Sequence, residues 1–102
     1  MICVLATIEV ADGRRDDFLA AFKQVVPKVL AEEGCIEYSP VVDLETNIPA
    51  QPPPRQSVVT VVEKWESIEA LEAHLIAPHM LEFHKSLEGL VTGISLQILE
   101  PA

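Results

Sequence analysis

The sequence predicts an α+β fold of the ferredoxin-like type, with its elements in the order βαββαβ. Two observations predict it. Four apolar segments have strand character, and two amphipathic stretches with helical spacing lie between the first two and the last two of them. In this fold the strands form one antiparallel sheet and the helices cover one of its faces. The length of 102 residues indicates a single domain, residues 1–102.

The first strand and the first helix occupy the N-terminal third of the chain. Ile2–Val10 is rich in β-branched side chains and contains neither glycine nor proline, which is typical of a strand. Apolar residues then recur at spacings of three, four and one over residues 18–30, which predicts a helix. We expect Asp12 to cap this helix, Pro27 to lie inside it and Gly34 to end it.

The second and third strands are separated by an irregular segment. Residues 35–43 are predicted as a strand, and Val58–Trp65, a nearly continuous β-branched run, is predicted as the next one. Residues 44–57 are rich in proline and are predicted as a long loop. A lid and a plain hairpin tip both remain open as roles for this loop.

The C-terminal third contains a broken helical region and the last strand. Ser67 is predicted to cap a helix, and Ala77-Pro78 interrupts it so that a new helix starts at Pro78. Residues 93–100 alternate between apolar and polar side chains and are predicted as the fourth strand.

The strands carry apolar residues on both faces, whereas helices in this fold cover only one face. A second copy of the chain, packed across a twofold axis, would cover the other face. The sequence therefore predicts a homodimer.

The charge and the termini exclude several classes of protein. Sixteen acidic residues against seven basic ones give a net charge of −9, which disfavours nucleic acids and anionic membrane surfaces. No apolar run approaches the ~20 residues that span a bilayer, and the N-terminus does not resemble a signal peptide. Cys3 and Cys35 have no metal-ligand spacing and are predicted as reduced thiols. We expect a cytoplasmic protein.

Three histidines, His74, His79 and His84, follow one another at intervals of five. On a continuous helix neighbours at this spacing point ~140° apart, so the pattern predicts no metal site. The break at Ala77-Pro78 can nevertheless turn His74 and His79 toward one cavity. There, either one could act as a general base or as a donor to a phenolic ligand, because an imidazole titrates near neutrality. The alternative is a surface or half-buried histidine with a satisfied hydrogen bond.

Three further side chains are candidates for substrate contacts. Trp65 and Glu63 alternate on one face of the third strand, where Trp65 is either a core residue or a wall for an aromatic ligand. Glu63 in a valine-rich strand needs a partner or a ligand, since a buried carboxylate is costly alone. Tyr38 either packs in the core or donates to substrate. No phosphate loop, dinucleotide fingerprint or nucleophilic serine elbow is present.

Three stretches resemble one known family. Residues 33–38 (EGCIEY) are similar to its E-G-C-x-x-Y turn, and residues 62–71 (VEKWESIEAL) to its E-x-W-x-S-x-E-A-L signature. His74-Leu75 and Pro78-His79-Met80, followed by Phe83, resemble its helix. Together they resemble the antibiotic-biosynthesis-type monooxygenase domain, the family of the small quinol monooxygenases, over nearly the whole chain.

The resemblance implies a dimeric α+β barrel that oxidises a small electron-rich aromatic, such as a quinol or an anthrone, with O2 and without a cofactor. It places His74 and His79 in catalytic roles, and it implies substrate contacts from a further set of side chains: Trp65, Tyr38, Glu63, Phe83 and His84. Haem, which a related branch degrades, is not expected, because Thr7 stands where that branch has asparagine. An isomerase of a small phosphorylated signal molecule and a non-catalytic ligand-binding dimer are the alternatives.

The stretch 48–55 is longer than the corresponding hairpin of the family, so we expect the mouth of the pocket to differ.

Overall fold

The computed structural model describes all 102 residues. It contains four strands and three helices in this order: β1 Ile2–Val10, α1 Arg15–Leu30, β2 Cys35–Val41, β3 Val58–Trp65, α2 Ile68–Leu75, α3 Pro78–Ser86 and β4 Val91–Leu99. The strands form one sheet in the order β2-β3-β1-β4, and every neighbouring pair is antiparallel. The predicted ferredoxin-like α+β fold is confirmed, with its second helical region divided into α2 and α3.

Helix α1 forms as its apolar spacing predicts, but its first turn is not capped by the residue that we expected. No side chain caps it at Arg14, so the prediction that Asp12 caps this helix is wrong. The Asp12 carboxylate instead accepts a hydrogen bond from Ser57 Oγ at 3.1 Å, which ties the β1–α1 turn to the start of β3. Pro27 lies inside the helix, as predicted.

The broken helical region follows its sequence signals. Ser67 Oγ accepts a hydrogen bond from the backbone N–H of Ala70 at 3.2 Å, which confirms the predicted cap of α2. Ala77 is extended and Pro78 is the first residue of α3, so the proline starts a new helix at a changed angle. This break lets His74 and His79 converge on one carboxylate, that of Glu32. The two do not face the one cavity that the sequence predicted, but line two different ones.

The loop between β2 and β3 is irregular, as predicted, and β2 ends at Val41, two residues earlier than expected. The Arg55 guanidinium closes the base of the loop on Asp43, at 2.8 and 3.0 Å, and this pairing lowers the pKa of Asp43 to about 2. Cys3 and Cys35 are free thiols.

The core lies between one face of the sheet and the helices. Alternate residues of β1 and β3 point into it, and α1 contributes four buried residues, Phe18, Phe22, Val25 and Val29. The alternation along β3 continues through Val59 and Val61 to Glu63 and Trp65, as predicted, so a carboxyl group enters the core. None of the three helices has the length and hydropathy required to cross a membrane.

Two apolar surfaces remain exposed on the sheet. On the face opposite the helices, Leu5 and Leu99 are 38% and 41% exposed. Strand β4 lies at the edge of the sheet, and its side chains toward the helix side, Ile94, Leu96 and Ile98, are also exposed. The helices therefore cover only part of the apolar surface that the strands present.

Candidate active site

A small cavity of about 60 Å³ lies between the sheet and the pair of helices α2 and α3. Its apolar walls come mainly from β1, β3 and α3, and its polar lining consists of four side chains, Tyr38, Glu63, His74 and His84. Strands and helices thus bring together four of the seven residues that the sequence proposes for the site.

The centre of the site is a carboxylate that joins two histidines. His74 Nδ1 lies 3.1 Å from Glu32 Oε1 and 3.0 Å from Glu32 Oε2. His79 Nε2 lies 2.7 Å from the same Oε2. The side chains of His74, Glu32 and His79 are 3%, 13% and 26% exposed, so the arrangement runs from the interior toward the surface.

The turn after α1 places Glu32 at this point. The backbone N–H of Glu32 bonds to the carbonyl of Val29 at 2.9 Å, and Gly34 then reverses the chain with φ +83°. A β-carbon at Gly34 would lie only 2.6 Å from Cβ of Ala70 on α2. Glycine is therefore needed both for the left-handed conformation and for the close approach of the turn to α2.

The hydrogen bond to Glu32 selects the tautomer of His74. Because a carboxylate only accepts hydrogen bonds, Nδ1 of a neutral His74 must carry the proton, and Nε2 then has a free lone pair. Burial lowers the pKa of His74, and the hydrogen bond to Glu32 acts against this effect. His74 is thus held as a neutral imidazole whose acceptor nitrogen is Nε2.

Glu63 is a second unusual titratable group. Its side chain is buried on β3, and Oε1 accepts a hydrogen bond from Trp65 Nε1 at 2.9 Å. Burial raises the pKa of Glu63 to about 7, and the negative charge of Glu32 adds to this effect, while the bond from Trp65 opposes it. Glu63 therefore changes its charge near neutral pH.

Tyr38 is held by aromatic contacts. Its ring stacks on Phe22 with the centroids 5.2 Å apart, and it meets the edge of the His74 ring at 5.3 Å. Burial, followed by the charges of Glu63 and Glu32, raises the pKa of Tyr38, so the phenol stays protonated. It can act as a donor to a ligand in the cavity.

Three polar atoms of the buried cavity residues form no hydrogen bond within the chain: Tyr38 Oη, Glu63 Oε2 and His74 Nε2. None of them is sealed in the interior, since every fully buried polar side-chain atom has a partner. A donor, a titratable carboxyl and an imidazole acceptor are therefore available to a ligand.

The remaining sequence-proposed residues lie beside this cavity. Trp65 is 0% exposed, and its ring centroid lies 4.7 Å from that of His74. It therefore packs against the histidine without lining the cavity. His79 and Phe83 line a separate groove of about 270 Å³ between α1 and α3, together with Lys28. No group of three or more His, Cys, Asp or Glu side chains is arranged to hold a metal ion.

Glu32 is the one central residue absent from the sequence-based predictions. A signal for it exists, because Val25, Val29 and Glu32 continue the apolar stripe of α1 at spacings of four and three. An acid at the next position of a buried stripe indicates a partner in the interior.

The mouth of the cavity is formed by three exposed side chains, Leu75 from α2, His84 from α3 and Leu96 from β4. No residue of the proline-rich loop 42–57 lines the cavity. Entry of a ligand into the cavity therefore depends on these three side chains.

The chain matches the antibiotic biosynthesis monooxygenase family over residues 1–86. It is 40% identical to the Escherichia coli K12 protein named "Probable quinol monooxygenase YgiN", over 99% of this chain and 98% of that protein. The Shigella flexneri protein of the same name is equally similar. The chain therefore belongs to the antibiotic biosynthesis monooxygenase family, and the resemblance noted in its sequence motifs is confirmed.

Solved structures agree on the fold. A Pseudomonas aeruginosa protein superposes with a TM-score of 0.80 at 24% identity, covering 99% of this chain and 93% of that one. A conserved protein of Methanosarcina mazei superposes with a TM-score of 0.81 at 24% identity, covering 99% and 92%. The family match and the 40% identical relative define the class of protein as a monooxygenase.

Proposed function

We propose that this protein oxidises a small electron-rich aromatic of the quinol or anthrone type with O2, and that it needs no cofactor. One observation carries the proposal: His74 lines the cavity, Glu32 binds its Nδ1, and its Nε2 has no partner within the chain. The similarity to a probable quinol monooxygenase supports the choice of substrate class.

The first step is removal of a phenolic proton by His74 Nε2, which yields an electron-rich phenolate. A neutral imidazole is the correct protonation state for this step, and burial of His74 favours that state. Tyr38 Oη and Glu63 Oε2 can bind the substrate oxygens and orient the ring.

The second step uses O2 as the oxidant. A ring carbon next to the phenolate carbon bonds to one oxygen atom, and His74 returns its proton to the other, which gives a ring hydroperoxide. Cleavage of the O–O bond with loss of the hydrogen on that carbon releases water and leaves a new C=O. The substrate loses four electrons and O2 gains four, so a quinol and O2 give a hydroxyquinone and water.

Entry of an aromatic ring requires the cavity to widen. A cavity that holds benzene measures roughly 150 Å³, whereas this one measures about 60 Å³. The side chains at the mouth, Leu75, His84 and Leu96, are exposed, and we assign the widening to changes of their rotamers. We assign to them, and to the apolar walls, the exclusion of water from the phenolate.

The lining disfavours the isomerase alternative. A phosphorylated substrate needs arginine, lysine or several backbone donors around its anionic group. No lysine or arginine lines the cavity, and Glu63 would repel a phosphate at neutral and higher pH.

We also propose that the protein acts as a homodimer. The exposed apolar side chains on the sheet face opposite the helices support this proposal, since a second copy would remove them from water.

The test is oxygen uptake by the purified, metal-stripped protein against a panel of dihydroxyaromatics and anthrones. We expect uptake above the autoxidation background, and a loss of ~10²-fold or more in His74→Gln, the low end for a missing general base. Glu72→Gln, an exposed change on the same helix, is the matched control. If His74→Gln does not alter the oxygen uptake, His74 has no role as the base and is at most a ligand-binding residue.

A further inference from the structure

We propose that Glu32 is the counter-ion that holds the substrate proton on His74 during turnover, and that His79 positions Glu32 through a second hydrogen bond. This inference deepens the proposed function and rests on it for the identity of the proton. It gives Glu32, a residue that no motif singles out, a defined role in the site.

The geometry separates the two histidines. His74 lines the cavity and turns Nδ1 toward Glu32, so its Nε2 is available to the substrate. His79 turns Nε2 toward Glu32 and otherwise lines the groove between α1 and α3. Of these two histidines, only His74 lines the cavity in which a phenol can react, and His79 acts through the carboxylate.

The proposed reaction requires His74 to keep the phenolic proton until the peroxide forms, and not to release it to solvent. In the reaction written above, His74 takes a proton from the phenol and returns it to the peroxide oxygen of the same molecule. An imidazolium therefore exists in a buried site for the lifetime of the intermediate. A carboxylate at hydrogen-bond distance from its Nδ1 stabilises that charge, as in other carboxylate–histidine pairs.

Other charges around His74 do not serve this purpose. The titratable groups that face it come from three elements and one turn: Glu32, Tyr38, Glu63, His79 and His84. Glu63 is bonded to Trp65 and is partly protonated near pH 7, which makes it an unreliable counter-ion. Glu32 is the acid that contacts the imidazole directly.

A carboxylate at the position of Glu32 needs support. It follows the C-terminus of α1, where the helix dipole is negative and disfavours a second negative charge. It is also mostly buried, at 13% exposure. Two imidazole donors offset both effects, and His79 at 2.7 Å makes the shorter of the two contacts. Loss of His79 should therefore loosen Glu32 without removing the base.

The test combines a titration without substrate and a kinetic measurement. The pKa of His74 is followed by NMR of its ring protons in wild type, Glu32→Gln, Glu32→Asp, His79→Gln and Glu33→Gln. Glu33 is an exposed acid in the same turn, so Glu33→Gln controls for the loss of one negative charge. Urea unfolding of each variant confirms that it is folded.

We expect Glu32→Gln to lower the pKa of His74 by about one unit or more, because a contacting opposite charge is lost. Glu32→Asp should lower the pKa of His74 by less than Glu32→Gln does. Glu33→Gln should leave this pKa within about 0.3 unit of the wild-type value, since an exposed charge is screened. On an active quinol, kcat should fall ~10²-fold or more in Glu32→Gln and by no more than about tenfold in His79→Gln, which keeps a donor.

An unchanged His74 pKa in Glu32→Gln would overturn the counter-ion role. A loss of kcat in His79→Gln as large as that in Glu32→Gln, with the His74 pKa unchanged, would make His79 a base in its own right. If no quinol in the panel is oxidised, the proposed function fails, and the titration still decides whether Glu32 is the counter-ion of His74.

Discussion

At the scale of single residues, the site is defined by acids and imidazoles whose partners are fixed by the fold. Glu63 stands in a valine-rich strand, with Trp65 as its only hydrogen-bond partner in the chain. Burial raises its pKa from 4.5 to about 7. The charged form is therefore the unfavourable one in the folded protein.

This shift predicts a stability change with pH. Because the pKa of Glu63 is higher in the folded state, the folded state binds the proton more tightly, and stability falls as pH rises from about 4.5 through 7. The full effect is ~3 kcal/mol on the free energy of unfolding. We compare urea unfolding at pH 5 and at pH 8.5. Between these two pH values, the free energy of unfolding should fall less in Glu63→Gln than in wild type. Glu69→Gln, an exposed change on α2, is the control, and equal losses in all three proteins would contradict the shift.

Residue type and spacing predicted much of the site at this scale. His74, Glu63 and Tyr38 were identified as polar groups in apolar settings, and all three line the cavity. Glu32 was missed because its partners lie 42 and 47 positions away, and only the tertiary fold brings them together. An acid two positions before a glycine, just after the end of a helix, resembles part of an ordinary exposed turn.

At the scale of elements, the turn between α1 and β2 determines where Glu32 lies. Gly34 adopts φ +83° and lets the turn approach Ala70 on α2. Helix α1 before the turn was predicted from apolar periodicity, and β3 and the Ala77-Pro78 break were predicted at their observed positions. The close approach of turn and helix is a packing property, which periodicity does not contain.

Gly34→Ala should destabilise the protein and disturb the site. Gly89 has a similar φ of +82° but no atom near its missing side chain, so Gly89→Ala is a matched control. We expect about 1 kcal/mol for Gly89→Ala, from the backbone alone, and at least about 2 kcal/mol for Gly34→Ala, since overlap with Ala70 adds to it. The measurement is urea unfolding, followed by NMR titration of His74. Equal losses in the two variants would show that the turn has room to move.

At the scale of the whole molecule, one layer of helices leaves part of a two-sided sheet uncovered. Cys3, Leu5, Val62 and Leu99 are neighbours across β4, β1 and β3 on the face opposite the helices, and together they form the outer patch. The fold class followed from the order of elements, because alternating helices and strands with these lengths permit few topologies. The assembly does not follow from the order of elements, and the proposal of a homodimer rests on the exposed apolar side chains of the outer patch.

The proposed homodimer gives the last prediction. Light scattering at micromolar concentration should give twice the chain mass of 11.2 kDa for the wild-type protein. Leu5→Glu places a charge in the centre of the outer patch, and burying it against a second copy is costly, so this variant should be a monomer. Leu44→Glu changes a more exposed leucine in the β2–β3 loop and should remain dimeric. A monomeric wild-type protein would contradict the proposed homodimer. A dimeric Leu5→Glu would show that the interface lies on another surface, and the next candidate is the exposed apolar side of β4.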